Sequence, residues 1–298
     1  MHSAVQLDAV TKRYRGGGGV TDLSLDVRVG EVFGFLGPNG AGKTTTIRLM
    51  VDLIRPDSGR ICLLGEDIRT AGPQLRQRIG YLPGDLSLWG RFTGREILGH
   101  LAHLRGGVDP ASIESLAHRF DLDLTKPAKA LSRGNRQKIG IVQALMGRPA
   151  LLILDEPTSG LDPLVQSEFH RCLREVVDRG DTVFLSSHTL SEVDRVADRV
   201  GMIRDGRIAA VDDVASLRTR ALHRVEIRTA GRFPAEALDS LAGARHVDID
   251  GDLARLDLSG GVAPLLRALA PLDVIDLTIH EPDLEDVFLD LYRDEERS

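Results

Sequence analysis

Gly37-Pro38-Asn39-Gly40-Ala41-Gly42-Lys43-Thr44 is the stretch of sequence that decides the fold. It matches the pattern G-x-x-x-x-G-K-[ST], it follows an apolar run over residues 31–36 that predicts a strand, and it opens a segment of helical spacing over residues 44–54. Glycines let the backbone approach anionic oxygens closely, and successive N–H groups at a helix N-terminus point toward those oxygens. In this context the pattern predicts a phosphate-binding loop rather than an ordinary glycine-rich turn before a helix.

The residue types at the end of the loop suit a nucleotide and its metal ion. Lys43 places a cation on the β- and γ-phosphates, and the hydroxyl of Thr44 can ligate Mg²⁺. The loop by itself leaves GTPases, kinases and helicases open, so the rest of the chain has to decide among them.

Two carboxylates follow a second strand. Residues 150–154 form a continuous apolar run, which is typical of a strand buried on both faces, and Asp155 and Glu156 come directly after it. In a parallel sheet, functional groups gather at the carboxyl ends of the strands. We predict that Asp155 holds Mg²⁺ through water and that Glu156 polarises the water that attacks the γ-phosphate. The alternative is a helix N-cap at a strand–loop–helix junction.

Composition and charge limit the classes of protein. The chain has 298 residues, of which 42% are hydrophobic and 28% charged, and this predicts a soluble globular protein of one large or two moderate domains. We see no apolar stretch of the ~18–20 residues that a membrane-spanning helix needs, and we expect no secretory signal. The net charge of −6 argues against nucleic-acid binding. Cys62 and Cys172 fit neither a metal spacing nor a disulfide framework, which favours a reducing cytoplasm.

The order of the predicted elements indicates two domains. Strands and helices alternate along residues 1–220, which predicts an α/β domain with a mainly parallel sheet covered on both faces. Within it, residues 93–147 have mostly helical spacing and indicate a helical subdomain at about 86–148. Over residues 221–298 the order strand, helix, strand, strand, helix, strand fits a small α+β unit of the ferredoxin-like kind, closed by a helix near 283–292.

A third segment narrows the class of nucleotide-binding protein that the phosphate loop and the two carboxylates indicate. Residues 131–137 read Leu-Ser-Arg-Gly-Asn-Arg-Gln, and taken alone they are explained by a plain helix capped by Ser132. Together with the phosphate loop and the carboxylates, however, they resemble the nucleotide-binding subunit of an ATP-binding cassette (ABC) transporter. The resemblance runs over residues 5–217. It implies a P-loop NTPase cassette of the ABC type with a helical subdomain, and ATP as the nucleotide.

The resemblance implies roles for two loops of the chain. Residues 131–135 correspond to the signature loop, usually Leu-Ser-Gly-Gly-Gln, in which Arg133 and Asn135 are variants. Asparagine keeps an amide side chain, so a phosphate contact at this position stays plausible. Asp162 lies in the segment Ser159-Gly160-Leu161-Asp162, which corresponds to the D-loop.

Two further residues are assigned by resemblance. His188 corresponds to the switch histidine that contacts the γ-phosphate, and Tyr14 to the aromatic residue that stacks on adenine. The alternatives are a core histidine and a half-buried tyrosine at a strand end. The predicted catalytic residues are Lys43, Glu156 and His188, and the predicted Mg²⁺ ligands are Thr44 and Asp155. The predicted nucleotide-binding residues are Tyr14, Gly37, Pro38, Asn39, Gly40, Ala41, Gly42, Lys43, Thr44, Thr45, Ser132, Gly134, Asn135 and Asp162.

One position departs from the family pattern. The family has a glutamine after Ile79-Gly80-Tyr81-Leu82-Pro83, whereas this chain has Gly84 followed by Asp85. Glycine offers no side chain that could ligate or sense Mg²⁺. Either the metal ion takes another water there, or Asp85 turns in toward it.

The resemblance also implies partners. Two cassettes close head to tail with ATP between them, so we expect this chain to pair with a second copy of itself or with another cassette chain. We also expect a separate polytopic membrane permease subunit, which places the chain at the cytoplasmic face of the cell membrane, and no nucleic acid. Residues 281–288 resemble an extension of bacterial export cassettes and favour export, with a purely dimer-stabilising domain as the alternative.

Two other classes of function fit the sequence less well. A soluble ABC ATPase acting on DNA or ribosomes usually carries coiled-coil insertions, zinc sites or two cassettes, and we see none of these in the sequence. A non-hydrolysing regulator would not need Glu156, so the presence of this residue argues against that function.

Residues 86–92 place Trp89 and Phe92 in a predicted loop. This favours a docking surface for the membrane subunit, and packing at the base of the helical subdomain is the alternative.

Overall fold

A computed structural model describes residues 3–220, 222–239 and 241–280 of the chain. The fold divides into two units, Met1–Val211 and Asp212–Ser298, and each is described by itself. In the described residues, no helix has both the length and the apolar character needed to cross a membrane.

The first unit contains the phosphate loop, which lies between its third strand and its first helix. Its strands are β1 (Ser3–Arg13), β2 (Gly19–Arg28), β3 (Val32–Leu36), β4 (Ser58–Leu63), β5 (Glu66–Asp67), β6 (Ile79–Leu82), β7 (Leu151–Asp155), β8 (Thr182–Ser187), β9 (Arg199–Arg204) and β10 (Arg207–Asp213). Its helices are α1 (Lys43–Met50), α2 (Pro73–Gln77), α3 (Gly94–Leu104), α4 (Pro110–Arg119), α5 (Arg133–Leu145), α6 (Pro163–Asp178) and α7 (Leu190–Asp194).

The central sheet has six strands in the order β10-β9-β3-β8-β7-β6. The pairs β3–β8, β3–β9, β7–β8 and β6–β7 are parallel. Every residue of β3 and of β7 is buried, as their continuous apolar sequences predict for strands covered on both faces. Because these strands are parallel, the phosphate loop after β3 and the carboxylates after β7 lie at the same edge of the sheet.

A second, antiparallel sheet is present in addition to the mainly parallel sheet that the sequence predicts. It has the order β2-β1-β4-β5, and its strand pairs are antiparallel. Buried and exposed residues alternate along much of β2, so this strand covers the core with one face and meets solvent with the other. That alternation is typical of antiparallel sheets, whereas parallel sheets are buried on both faces.

Three helices with side-chain caps fill the region between β6 and β7. Thr93 and Glu96 form a capping box at the start of α3, and the carboxylate of Asp109 accepts from Ala111 N at the start of α4. Ser132 caps α5 by accepting from Asn135 N, as its sequence predicts. The helical subdomain therefore starts each helix with a satisfied backbone donor.

The second unit is a four-stranded antiparallel sheet with the order β12-β13-β11-β14. Residues 281–298 lie outside the described residues, and so do the helix predicted near 283–292 and the segment 281–288. The elements of the second unit are α8 (Val214–Arg220), β11 (Leu222–Thr229), α9 (Glu236–Asp239), β12 (Ala244–Asp250), β13 (Leu253–Ser259), α10 (Ala263–Leu269) and β14 (Val274–His280).

Candidate nucleotide site

The loop between β3 and α1 has the backbone that its glycines predict. Gly40 and Gly42 have φ angles of 83° and 114°, in the left-handed region that favours glycine. Lys43 turns back across the loop, and its Nζ donates to the carbonyl oxygens of Gly37 at 2.5 Å and of Pro38 at 3.3 Å. With only 6% of Lys43 exposed, its ammonium group is fixed beside the loop.

The carboxylates after β7 are oriented by the neighbouring strand. Asp155 is 1% exposed, and its Oδ1 accepts from the hydroxyl of Ser186 at 2.7 Å. The same hydroxyl accepts from the backbone N–H of Glu156 at 3.1 Å. A buried carboxylate needs such a partner to offset its desolvation, so Ser186 fixes both the Asp155 side chain and the turn that follows it.

Glu156 joins the loop to the end of β8. Its Oε1 lies 3.4 Å from Lys43 Nζ, and its Oε2 lies 2.7 Å from His188 Nδ1. Glu156 has a φ of 50°, a left-handed backbone that is uncommon outside glycine, and its side chain lies between Lys43 and His188. Three residues predicted from separate motifs therefore meet at one point.

A cavity of about 420 Å³ opens in front of this cluster. Nine predicted site residues line it, namely Pro38, Asn39, Gly40, Gly42, Lys43, Thr44, Thr45, Asp155 and Glu156. Gly37 contributes its carbonyl to Lys43, His188 contacts Glu156 from beside the cavity, and Ala41 is buried next to Gly42.

The structure does not bring the remaining predicted residues to this cavity. Ser132 caps α5, and Asp162 caps α6 by accepting from Leu164 N and Val165 N. A Cβ built on Gly134 would stand 2.7 Å from the carbonyl oxygen of Gly160. The segments 131–135 and 159–162 of the same chain therefore lie against each other. The other two residues absent from the cavity wall are Asn135 and Tyr14.

Several residues of the cavity wall were missed in the sequence. Arg48 lies one helical turn after Thr44, and that i,i+4 spacing on a predicted helix is the signal that would have found it. Tyr81 also lines the cavity, and burial together with the Asp155 carboxylate raises the pKa of its phenol. Arg133, noted only as a variant of the signature loop, reaches the cavity as well.

The departure at residue 84 lies directly beside Asp155. A Cβ built on Gly84 would stand 3.2 Å from Asp155 Oδ2, and both Gly84 and Asp85 line the cavity. The backbone at Gly84 therefore lies next to Oδ2 of Asp155, the carboxylate oxygen that does not accept from Ser186.

Comparisons with known proteins agree with this geometry. The family model described as "ABC transporter" matches residues 20–159. The daunorubicin resistance ATP-binding protein DrrA3 of Streptomyces coeruleorubidus is 36% identical over 99% of this chain and 98% of its own. The Nod factor export ATP-binding protein I of Burkholderia lata is 34% identical over 95% of this chain and 94% of its own.

A solved structure extends the agreement to the fold. The ATP-binding subunit of an ABC transporter superimposes on 72% of this chain and 92% of its own length, with a TM-score of 0.67 and 29% identity. Both curated relatives match this chain over nearly their whole length. The chain therefore belongs to the ABC transporter family of ATPases, as an ATP-binding subunit.

Proposed function

We propose that this subunit powers the export of a small molecule through a separate membrane permease at the cytoplasmic face of the cell membrane. The observation that carries the catalytic part is the cluster of Lys43, Glu156 and His188 at the edge of the cavity. Export is supported by the relatives, which are named for daunorubicin resistance and for Nod factor export.

In the proposed reaction, Lys43 and the N–H groups of the loop hold the phosphates and neutralise their charge. Glu156 orients the attacking water and accepts its proton as the water oxygen bonds to the γ-phosphorus. The bond from that phosphorus to the β–γ bridging oxygen breaks, so ADP and phosphate are the products. His188 holds the Glu156 carboxylate in position through its 2.7 Å contact.

The residues that would hold Mg²⁺ are Thr44 and Asp155. Both line the cavity, and Ser186 engages Oδ1 of Asp155, so Oδ2 is the oxygen directed at Gly84. A hydroxyl and a carboxylate oxygen suit a hard cation that keeps several waters and phosphate oxygens as further ligands. When bound, Mg²⁺ would neutralise charge that develops on the β- and γ-phosphates.

The proposed active assembly is a pair of cassettes. Ser132, Gly134, Asn135 and Asp162 carry signature-loop and D-loop positions but do not line the cavity of their own chain. Their position supports a contact with the nucleotide of a second copy, or of another cassette chain, in a head-to-tail sandwich.

Reconstitution tests the proposed function. We expect the purified chain to release phosphate from ATP with Mg²⁺, and we expect faster release when its membrane permease partner is added in vesicles. Vesicles without that membrane protein are the control. If phosphate release is absent under both conditions, the ATPase proposal is wrong, and unchanged release on adding the permease counts against the transport role.

Asp85 gives a prediction about the metal. We expect the Asp85→Ala variant to need about tenfold more Mg²⁺ for half-maximal hydrolysis, because Gly84 offers no ligand and Asp85 lines the same cavity. Gly84→Gln is the complementary variant, because it introduces the glutamine that the family has at this position. Phosphate release is titrated with Mg²⁺ at fixed ATP, and a requirement unchanged in both variants excludes any role of this loop in metal binding.

The aromatic patch of Trp89 and Phe92 is the proposed permease contact. Trp89 is 51% and Phe92 50% exposed, so about half of each residue meets solvent. Trp89 meets Phe92 and His100 edge to face, with ring centroids 6.3 and 5.6 Å away. Together with Glu96 and Ile97 these rings line a surface cavity of about 420 Å³. An exposed aromatic cavity with a polar rim fits an apolar side chain of a partner protein.

The patch predicts an assembly defect. We expect Trp89→Ala to weaken binding to the permease by about 2 kcal/mol, which is the scale of an interface hot spot, while ATP hydrolysis by the isolated subunit changes by less than a few-fold. Binding is measured with the permease in detergent or nanodiscs. Leu53→Ala is the matched control, because Leu53 is 62% exposed and does not line this cavity. Equal affinity of the two variants would exclude Trp89 from the interface.

A further inference from the structure

Arg133 connects the start of α5 to the segment that follows Glu156. Its Nη2 donates to the hydroxyl of Ser159 at 2.9 Å. Its stem crosses Gly160, because Cγ, Cδ and Nε each lie 3.7 Å from the place that a Cβ on Gly160 would take. The side chain is therefore laid out along the loop after β7.

The same side chain belongs to a residue that lines the nucleotide cavity of its own chain. Arg133 and Ser159 both line that cavity, together with Lys43 and Glu156 of the phosphate and carboxylate motifs. The signature-loop position of Arg133 is normally glycine, which carries no side chain, so the resemblance to the family predicts nothing for this contact.

The charges in the cavity leave Arg133 without an acidic partner. Glu156 is engaged by Lys43 and His188, and Asp155 accepts from Ser186. Across residues 3–220, 222–239 and 241–280, no ion pair of Arg133 is found, and its hydrogen-bond partner there is the neutral hydroxyl of Ser159. A guanidinium has five N–H donors in a planar fork, so most of them stay available for an anion.

The nucleotide supplies that anion. The phosphate chain of ATP carries several negative charges, and arginine binds phosphate oxygens through paired, charge-assisted hydrogen bonds. We propose that Arg133 binds the phosphate chain of the nucleotide held by its own chain, while Ser159 holds its guanidinium in place. This inference rests on the proposed ATP site. It differs from the expected signature-loop contact, which is made with the nucleotide of a second chain.

A monomer assay tests the inference. Displacement of a fluorescent ATP analogue gives the Kd values of ATP, ADP and AMP for the full chain with Mg²⁺, at protein concentrations where sedimentation shows a monomer. We expect Arg133→Ala to raise the Kd of ATP about tenfold, the lower range for a lost charge-assisted hydrogen bond, and to leave the Kd of AMP unchanged. Arg133→Lys keeps the charge and should fall between the wild type and Arg133→Ala.

Arg91→Ala is the matched control, because it removes the same charge from an exposed arginine that does not line the cavity. Circular dichroism confirms that each variant is folded. Equal ATP affinity in Arg133→Ala and Arg91→Ala overturns the inference, and so does a defect that appears only at concentrations where the chain dimerises. If the wild-type chain binds no ATP, the proposed function itself is wrong. If only the Arg133 effect is missing, the proposed function stands and this contact falls.

Discussion

Replacing Glu156 by Gln should slow ATP hydrolysis by at least ~10²-fold while ATP still binds. Glutamine has the shape of glutamate but cannot accept a proton from the attacking water, so the chemical step loses its base. Lys43 stays in place because its ammonium group also donates to the carbonyl oxygens of Gly37 and Pro38. Phosphate release at saturating ATP measures the loss.

The same variant should accumulate in the ATP-bound paired state. If hydrolysis is what separates two cassettes, a chain that binds ATP without turnover stays paired, and sedimentation with ATP and Mg²⁺ should show a dimer. Glu66→Gln is the matched control, since Glu66 pairs with Arg78 at the surface and lies outside the cavity. Hydrolysis near the wild-type rate in Glu156→Gln would remove Glu156 from the mechanism.

The fold could be predicted where a continuous run of apolar residues indicates a buried strand. The apolar runs of β3 and β7 and the motif between β3 and α1 predict a parallel sheet with the site at its edge, and the structure has it. The short elements β5 and α2 have two and five residues, too few to show a period, and the sequence reading missed them. The antiparallel pairing of β1 with β4 joins strands that are distant in sequence, and local spacing does not encode it, whereas β1 pairs with β2 across a short turn.

The site could be predicted where a local sequence motif places the functional residue. Lys43, Asp155 and Glu156 were found because a loop or a strand end places each of them. Ser186 was missed as a site residue, although it lies only two residues before His188, which the resemblance marked. Its role follows from strand register, because Asp155 lies opposite Ser186 in the β7–β8 pair. Register is set by tertiary packing, so no spacing along the chain reveals it.

The position of β8 beside β3 depends on a cluster of aromatic rings in the central sheet. Phe184 of β8 lies against two rings of β3, with its centroid 5.8 Å from Phe33 and 5.3 Å from Phe35. All three side chains are fully buried within one hydrophobic core. The cluster therefore holds β8, which carries Ser186, against β3, which leads into the phosphate loop.

Phe184→Ala should lower the free energy of unfolding by about 3–5 kcal/mol, the range for truncating a fully buried phenylalanine. The loss has two causes, since apolar contact area is removed and the packed strands β3 and β8 cannot close the space that is left. Urea denaturation followed by far-UV circular dichroism measures it. Phe92→Ala is the control, because Phe92 is half exposed and should cost less than about 1 kcal/mol. Equal losses at the two positions would mean that the ring cluster does not hold the two strands together.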